Sequence, residues 1–251
     1  MQFIKTSKTG GIARVQFNRP EALNAFSPAL LNELVRAIRD IDTDPNIQVM
    51  VLSGEGRAFS AGVDLKSLQN ITAEAGRVGD EFDGVANNAA LAIREMRLPV
   101  IASVHGYCFT GALELALHCD FIYTTKQTKF GDTHAKWGLR PTWGMSQNLA
   151  RAVGVRRARE LSFTARTFTG TDALEWGLAI EAADDNDALA ELVEARASAI
   201  AEASPGALSA YKKLYRVAEE NRPLEDALAQ EVHMEFPEIA DTAERLAAFG
   251  A

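Results

Sequence analysis

Two stretches decide how this chain folds: AFSAGVDLKSL at residues 58–68 and HGYCFTGALEL at residues 105–115. Each is predicted as the end of a buried strand, followed by a turn of small residues and glycine and then by a helix. Backbone N–H groups in such a turn lack partners within regular structure. The spacing leaves two interpretations open: a pair of amides that bind one oxygen atom, or two ordinary strand–helix turns.

Strands and helices alternate on both sides of these stretches. Residues 3–8 and 12–17 predict a β-hairpin, and a helix follows with Ser27 as its N-cap. Residues 69–84 are polar and contain glycine, which predicts a loop that would shape the acyl selectivity of the site. Residues 81–98 predict a helix that Pro99 ends. The alternation predicts an α/β fold whose middle strands are parallel and covered on both faces.

The composition changes near residue 187. The segment from there to residue 251 consists mostly of helix formers and shows no strand pattern. We therefore predict an α/β core at 1–186 that carries the chemistry, and a helical region at 187–251 that serves oligomerisation.

Charge and motif content restrict the function classes. The 251 residues carry 26 basic and 34 acidic side chains, a net charge of −8, which argues against a nucleic-acid or anionic-membrane surface. No apolar stretch is long enough for a membrane span and no signal peptide is predicted, so we expect a cytoplasmic protein.

Metal and nucleotide motifs are also missing from the sequence. The four histidines and two cysteines show no zinc-ligand spacing, and Cys108 and Cys119 are predicted as reduced core thiols. Neither a dinucleotide-binding GxGxxG after a strand nor a GxxxxGK phosphate loop occurs.

Five motifs occur in a specific order: FNRPEALNAFS (17–27), AFSAGVDLKSL (58–68), HGYCFTGALELALHCDFIY (105–123), FGDTHAKWGLRPTWG (130–144) and LARAVG (149–154). With them the chain resembles the enoyl-CoA hydratase/isomerase (crotonase) family. That resemblance implies a crotonase-like spiral of repeated ββα units with a helical C-terminal region. It also implies an acyl-CoA thioester as substrate, whose carbonyl becomes an enolate held by two backbone amides.

The resemblance also assigns residues to the substrate. Val63 and Gly111 would supply the two oxyanion amides. Asp64 is expected to cap the following helix, and Lys66 either approaches the phosphates of coenzyme A or is solvated. Substrate contacts are implied around the first amide for Ala61, Asp64, Leu65 and Lys66.

Two side chains are implied as proton carriers. Glu114 falls on the position of one hydratase glutamate, three residues after Gly111 and in the same helical turn. His134 replaces the second glutamate, and because histidine titrates near neutral pH we expect it to act without a large pKa shift. Asp132 or Glu114 would then fix its tautomer. Thr142 stands where hydratases usually have a glycine whose backbone helps to hold the water.

We therefore predict a 2-enoyl-CoA hydratase-like lyase in which Glu114 and His134 share the proton transfers. Alternatives are an enoyl-CoA double-bond isomerase, a CoA-thioester or β-diketone hydrolase, and a non-catalytic acyl-CoA-binding scaffold. No metal or redox cofactor is expected, since coenzyme A belongs to the substrate. By resemblance, the expected assembly is a homotrimer or homohexamer.

Overall fold

A computed structural model describes residues 1–68, 74–220 and 223–248. The strands are β1 (Ile4–Thr9), β2 (Ile12–Phe17), β3 (Val49–Gly54), β4 (Val100–Val104), β5 (Tyr107–Phe109), β6 (Phe121–Thr125), β7 (Lys129–Gly131), β8 (Phe168–Thr169) and β9 (Glu181–Ala183). The helices are α1 (Pro28–Asp42), α2 (Asp80–Glu95), α3 (Gly111–Ala116), α4 (Met145–Val153), α5 (Val155–Thr164), α6 (Gly170–Glu175), α7 (Asn186–Ala201), α8 (Pro205–Glu219), α9 (Leu224–His233) and α10 (Thr242–Ala247). Short 3₁₀ turns lie at Pro20–Ala22, Leu65–Leu68 and His134–Trp137.

The larger sheet has the strand order β1-β2-β3-β4-β6-β9. β1 and β2 form the predicted antiparallel hairpin, with Ile4 opposite Phe17. From β2 onward the neighbours are parallel, which confirms the predicted parallel middle strands. Residues of β3 are buried on both faces, as expected for a strand covered by helices on each side.

The smaller sheet, β5-β7-β8, positions the site. β5 and β7 are parallel, so their carboxyl ends meet at one edge. Helix α3 follows β5, and the 3₁₀ turn that begins at His134 follows β7. Ser60 forms a parallel bridge with Cys108, which adds the segment after β3 to the same sheet.

The chain therefore repeats one unit. In each unit the chain runs through the larger sheet, then through the smaller one, and then enters a helix or a 3₁₀ turn. The three units begin with β3, β4 and β6. This is the predicted crotonase-like spiral of ββα units. Cys108 lies in its core, and both cysteines are free thiols, as expected.

Local predictions for the first helix are confirmed. The Ser27 hydroxyl accepts a hydrogen bond from the Leu30 N–H at 3.3 Å, and Pro28 occupies the first helical position. Such a cap typically stabilises a helix by about 1 kcal/mol. The apolar face of α1 is buried in the main core, where α1 packs against α2.

Two local predictions need correction. α2 begins at Asp80, so the loop predicted to extend to Gly84 is too long, and its part at residues 69–73 lies outside the described residues. Acidic residues in the first turn of α2 favour this earlier start through the helix dipole. The helix predicted after Asp64 is a single 3₁₀ turn, Leu65–Leu68.

The helical segment beyond β9 has two parts. α7 packs Leu189, Val193 and Ala197 on the outer face of the larger sheet. α9 and α10 bury none of their described residues. The division at 186/187 and the oligomerisation role of the second region stay predictions. Within the described ranges, no helix is both long and apolar enough to cross a bilayer.

Candidate active site

A cavity of about 570 Å³ opens where β5 and β7 end. Apolar and polar side chains share its wall, among them Val63, Val78, Phe109, Leu139, Asp83 and His134. A cavity of this size and mixed lining is typical of a small-molecule site.

The two predicted oxyanion turns are neighbours. Gly62 has a φ of 89°. A Cβ there would lie 2.5 Å from the Phe109 carbonyl oxygen and 3.5 Å from the Gly111 nitrogen, so only glycine fits this contact. Among the described residues, neither the Val63 N–H nor the Gly111 N–H donates to a protein acceptor. The two turns therefore approach each other, and both amides are unpaired within the described part of the chain.

The backbone before α3 is strained. Thr110 has φ 51° and ψ −113°, a conformation that costs a non-glycine residue free energy and is frequent at functional sites. Its Oγ1 shares a hydrogen bond of 2.6 Å with Oγ1 of Thr133, which joins the loops after β5 and β7. A Cβ on Gly111 would lie 2.3 Å from the Trp143 ring, so the indole packs directly on this turn.

One carboxylate oxygen of Glu114 is anchored by the backbone, and the other oxygen faces His134. Its residue is 1% exposed, and Oε1 accepts the backbone N–H groups of Trp143 at 3.0 Å and Met145 at 3.2 Å. The other oxygen, Oε2, lies 3.5 Å from Nε2 of His134. The sheet edge thus brings together the two predicted proton carriers, which are 20 residues apart in sequence (134 − 114).

His134 lies between two carboxylates. Its Nδ1 is 2.6 Å from Oδ1 of Asp132, and Oδ2 of Asp132 accepts the Ser162 hydroxyl at 2.6 Å. Asp132 is 2% exposed and belongs to the same loop, so the ring orientation is set locally. Asp132 is therefore the partner that fixes the ring, while Glu114 faces the opposite nitrogen.

These contacts set the charge of the ring. Burial opposes a positive charge on His134, but the hydrogen bonds to Asp132 and Glu114 outweigh burial and raise the pKa of His134 to about 9. Burial also opposes the charge of Asp132, yet the hydrogen bonds from His134 and Ser162 lower the pKa of this carboxyl. The expectation of a histidine without a large pKa shift is wrong, because the ring is an imidazolium between two buried carboxylates.

The remaining predicted residues have varied positions. Ala61 lines the cavity, whereas the exposed Lys66 is not part of its described lining. Asp64 pairs with Arg19 at 3.0 Å and accepts the Lys66 N–H at 3.0 Å, the expected capping role.

The side chain of Leu65 lies outside the described part of the chain. Thr142 lines the cavity and donates its hydroxyl to Asp83 at 2.8 Å.

Asp83 is the site residue that the sequence analysis missed. It is 2% exposed, although it belongs to α2, whose buried face is otherwise apolar. The signal was available, since Asp83 shares helical spacing with the buried Ala86, Ala90 and Ile93. A charged residue on the apolar stripe of a helix indicates a polar contact inside the protein.

Comparison with known proteins extends these observations. The family described as Enoyl-CoA hydratase/isomerase matches residues 7–249. The probable enoyl-CoA hydratase 1, peroxisomal, of Arabidopsis thaliana is 37% identical over 183 residues, which are 72% of this chain and 66% of that protein. A probable enoyl-CoA hydratase of Rhizobium meliloti is 33% identical over 90% of this chain and 84% of its own length.

A solved structure shows the same likeness. The crystal structure described as an enoyl-CoA hydratase/carnithine racemase from Magnetospirillum magneticum has a TM-score of 0.90 and 31% identity, covering 99% of this chain and 92% of that one. The site and its scaffold thus define an acyl-CoA enzyme of the crotonase fold. This chain belongs to the enoyl-CoA hydratase/isomerase family, which confirms the resemblance in its motifs.

Proposed function

We propose that this protein is a hydro-lyase that adds water to the double bond of a 2-enoyl-CoA thioester. One observation carries the proposal: the Glu114 carboxyl group and the His134 ring face each other at 3.5 Å, at the edge that holds the unpaired amides of Val63 and Gly111. The relatives named enoyl-CoA hydratase support the same reaction.

The first half of the reaction uses Glu114 and the two amides. Oε2 of Glu114 takes a proton from water while the water oxygen bonds to the β carbon of the substrate. The electron pair of the double bond moves toward the thioester carbonyl, which becomes an enolate oxygen. The Val63 and Gly111 N–H groups bind that oxygen, and a preorganised donor of this kind typically contributes about 3 kcal/mol to transition-state stabilisation.

The second half uses His134. Its Nε2–H gives a proton to the α carbon as the enolate collapses, so one water has been added in total. Glu114 is then protonated and His134 is neutral. Because the pKa of His134 is raised to about 9, the proton passes back from Glu114 to the ring and restores the starting pair. No external proton donor is needed between turnovers.

The alternatives are less well supported. A double-bond isomerase needs one base that moves a proton between carbons, whereas this site holds a base and an acid. A CoA-thioester or β-diketone hydrolase could use the same two amides for a tetrahedral oxyanion. The relatives named enoyl-CoA hydratase favour hydration instead. A non-catalytic acyl-CoA-binding scaffold has no use for a buried Glu114–His134 pair, which costs desolvation free energy.

The test follows both the bond and the oxygen atom. Purified protein is given crotonyl-CoA and longer straight-chain 2-enoyl-CoA thioesters in oxygen-labelled water, with absorbance and product mass as readouts. We expect loss of the conjugated thioester and one labelled oxygen in an intact acyl-CoA. Glu114→Gln should lower turnover at least ~100-fold while acyl-CoA binding is kept.

The matched control is Glu95→Gln, an exposed glutamate at the end of α2, which should keep full activity. An unlabelled product with a shifted double bond would favour the isomerase, and free coenzyme A would favour a hydrolase. Unchanged turnover in Glu114→Gln would remove Glu114 from the mechanism. We expect no metal or redox cofactor, and activity after extensive chelation checks that expectation.

We also propose assembly as a homotrimer or as two paired trimers. Leu224, Leu228 and Val232 recur every four residues on α9 and are 73%, 52% and 79% exposed. Tyr211 and Tyr215 stack on each other on α8 and are also exposed. Apolar surface of this kind is typical of a protein interface.

Mass photometry measures the assembly directly. The protein should appear at three or six times the chain mass of 27.2 kDa, and Leu228→Glu with Val232→Glu should release the single chain. Glu231→Gln, on the same helix, is the control that leaves assembly intact. A monomer in the unmodified protein would contradict the proposal.

For the compartment we propose the cytoplasm, although the Arabidopsis relative is described as peroxisomal. Fractionation of cells that carry the untagged protein, followed by immunodetection, is the check. Recovery with an organelle fraction would overturn this part.

A further inference from the structure

A second buried carboxylate faces the cavity. Asp83 projects from α2 and lines the same cavity as His134, and it is 2% exposed. Its Oδ1 accepts the Thr142 hydroxyl at 2.8 Å and the Trp143 indole N–H at 3.3 Å. The reaction described above uses none of these three polar groups.

The second oxygen of this carboxylate is less well satisfied. Among the described residues, Oδ2 accepts only the Arg77 Nε–H, at the long distance of 3.4 Å. Arg77 also pairs with Asp80 at 2.5 Å, and Asp80 is 88% exposed, so the guanidinium is shared with the surface. A carboxylate offers about four acceptor positions, of which two on Oδ1 and one on Oδ2 are occupied. Asp83 therefore keeps room for one more donor.

Trp143 connects this carboxylate to the reacting end. Its backbone N–H donates to Glu114, and its indole N–H donates to Asp83. Trp143 therefore contacts both carboxylates, Glu114 through its backbone and Asp83 through its ring. We expect the acyl chain of a substrate whose α and β carbons lie at Glu114 to extend past Trp143 toward Asp83, since Trp143 and Asp83 both line the cavity.

We propose that Asp83, together with Thr142, selects 2-enoyl-CoA substrates whose acyl group carries a hydroxyl a few carbons beyond the double bond. The inference rests on the proposed hydration. A hydroxyl at this place donates to Oδ2 of Asp83. Thr142 holds the carboxylate in position, because its hydroxyl proton is donated to Oδ1 of Asp83. A plain hydrocarbon chain would shield the carboxylate from water without offering a donor.

The charge of the cavity favours a hydroxyl over an ammonium group. Lys136, Arg140 and Arg166 also line the wall, so a cationic acyl group would meet three positive side chains. Arg77 already offsets part of the Asp83 charge. A neutral hydrogen-bond donor fits both conditions.

The test uses matched pairs of substrates. Each straight-chain 2-enoyl-CoA is compared with its counterpart that carries a terminal hydroxyl, over a range of chain lengths. For the length that places the hydroxyl at Asp83, kcat/KM should be about 10-fold higher or more for the hydroxylated member, the scale of one buried hydrogen bond to a charged group. Equal values, or a preference for the hydrocarbon, at every length would overturn the inference.

Variants assign the preference to Asp83. Asp83→Leu should abolish the preference for the hydroxylated member, and Asp83→Asn should weaken it, since a neutral acceptor binds a donor less strongly. Glu81→Gln, an exposed acid in the same first turn of α2, should keep it. If Asp83→Leu fails to fold, comparing the substrate preference of Asp83→Asn with that of the unmodified protein still tests the role of Asp83. A preference that survives in Asp83→Asn at full strength would remove Asp83 as its cause.

A binding measurement separates this inference from the proposed reaction. Calorimetry with saturated acyl-CoA pairs, hydroxylated and plain, needs no turnover. Tighter binding of the hydroxylated member, weakened in Asp83→Asn, would support the selectivity even if no enoyl-CoA were hydrated. Hydration without any preference in rate or binding would leave the reaction standing and overturn the selectivity.

Discussion

Two carboxylate clusters have similar burial and different partners. The first is Glu114 with His134 and Asp132, and the second is Asp83 with Thr142 and Trp143. Glu114 and Asp83 are 1% and 2% exposed. Glu114 faces a charged ring, His134, whose own position is set by Asp132. Asp83 is held by the neutral donors of Thr142 and Trp143, with a long contact to Arg77. Burial alone therefore does not distinguish the two carboxylates, whereas their partners do.

The clusters also differ in how they are held. Glu114 is fixed by two backbone N–H groups from one loop, which keeps one oxygen in place and leaves the other for chemistry. Asp83 is held by side chains, and one of them, Arg77, also pairs with the exposed Asp80. We expect damage to the first cluster to affect rate and the pH dependence of stability, and damage to the second to affect mainly substrate choice.

The largest effect is expected from His134→Ala. The variant removes the acid that protonates the α carbon and leaves Glu114 without its facing charge, so kcat should fall by about 100- to 1,000-fold. Stopped-flow absorbance with the best enoyl-CoA measures it. His233→Ala, an exposed histidine on α9, should behave as the unmodified protein. Equal activity in both variants would reduce His134 to a structural residue.

A smaller change in rate is expected from Asp132→Asn. The amide can still accept the Nδ1–H, but it removes the negative charge that keeps the ring protonated, so the pKa of His134 should fall from about 9. The alkaline limb of the kcat/KM profile should move to lower pH, with a loss of about 10-fold at neutral pH. Ser162→Ala should shift the profile less, because it removes one donor only. An unmoved alkaline limb would separate Asp132 from the titration.

Stability should depend on the same ring. The folded pKa of His134 is raised from 6.5 to about 9, so its stabilisation is complete below pH 6.5 and is lost as pH rises through about 9. The linked loss is about 3 kcal/mol in the free energy of unfolding. Urea unfolding at pH values below and above this window measures it. His134→Gln should lack the difference, and an equal loss in both proteins would assign it to other groups.

Trp143→Phe should have the smallest effect on rate. The variant keeps the backbone N–H that donates to Glu114 but removes the indole N–H that donates to Asp83. We expect little change in kcat for an unsubstituted enoyl-CoA and a loss of about 1 kcal/mol in unfolding free energy. Steady-state kinetics and thermal unfolding together would show that stability falls while kcat is kept. A large fall in kcat without loss of stability would mean that the two clusters are coupled through Trp143.

Much of the fold and part of the site could be predicted from the sequence. The β1–β2 hairpin, the Ser27 cap and the repeated strand–turn–helix units depend on neighbouring residues and on periodicity, which are properties of the chain itself. The motifs placed Glu114 and His134 at corresponding turns. Their proximity then followed from the parallel pairing of β5 and β7.

Only the tertiary structure decided how these residues behave. The amides that anchor Glu114 come from residues 29 and 31 positions further along, and Thr142 reaches Asp83 across 59 positions. The raised pKa of His134 and the buried contacts of Asp83 depend on desolvation and on neighbours that meet only when these segments pack. The sequence by itself therefore determined which groups are present and on which turns. Packing determined their charges and their partners, because electrostatic free energies depend on distance and burial in three dimensions.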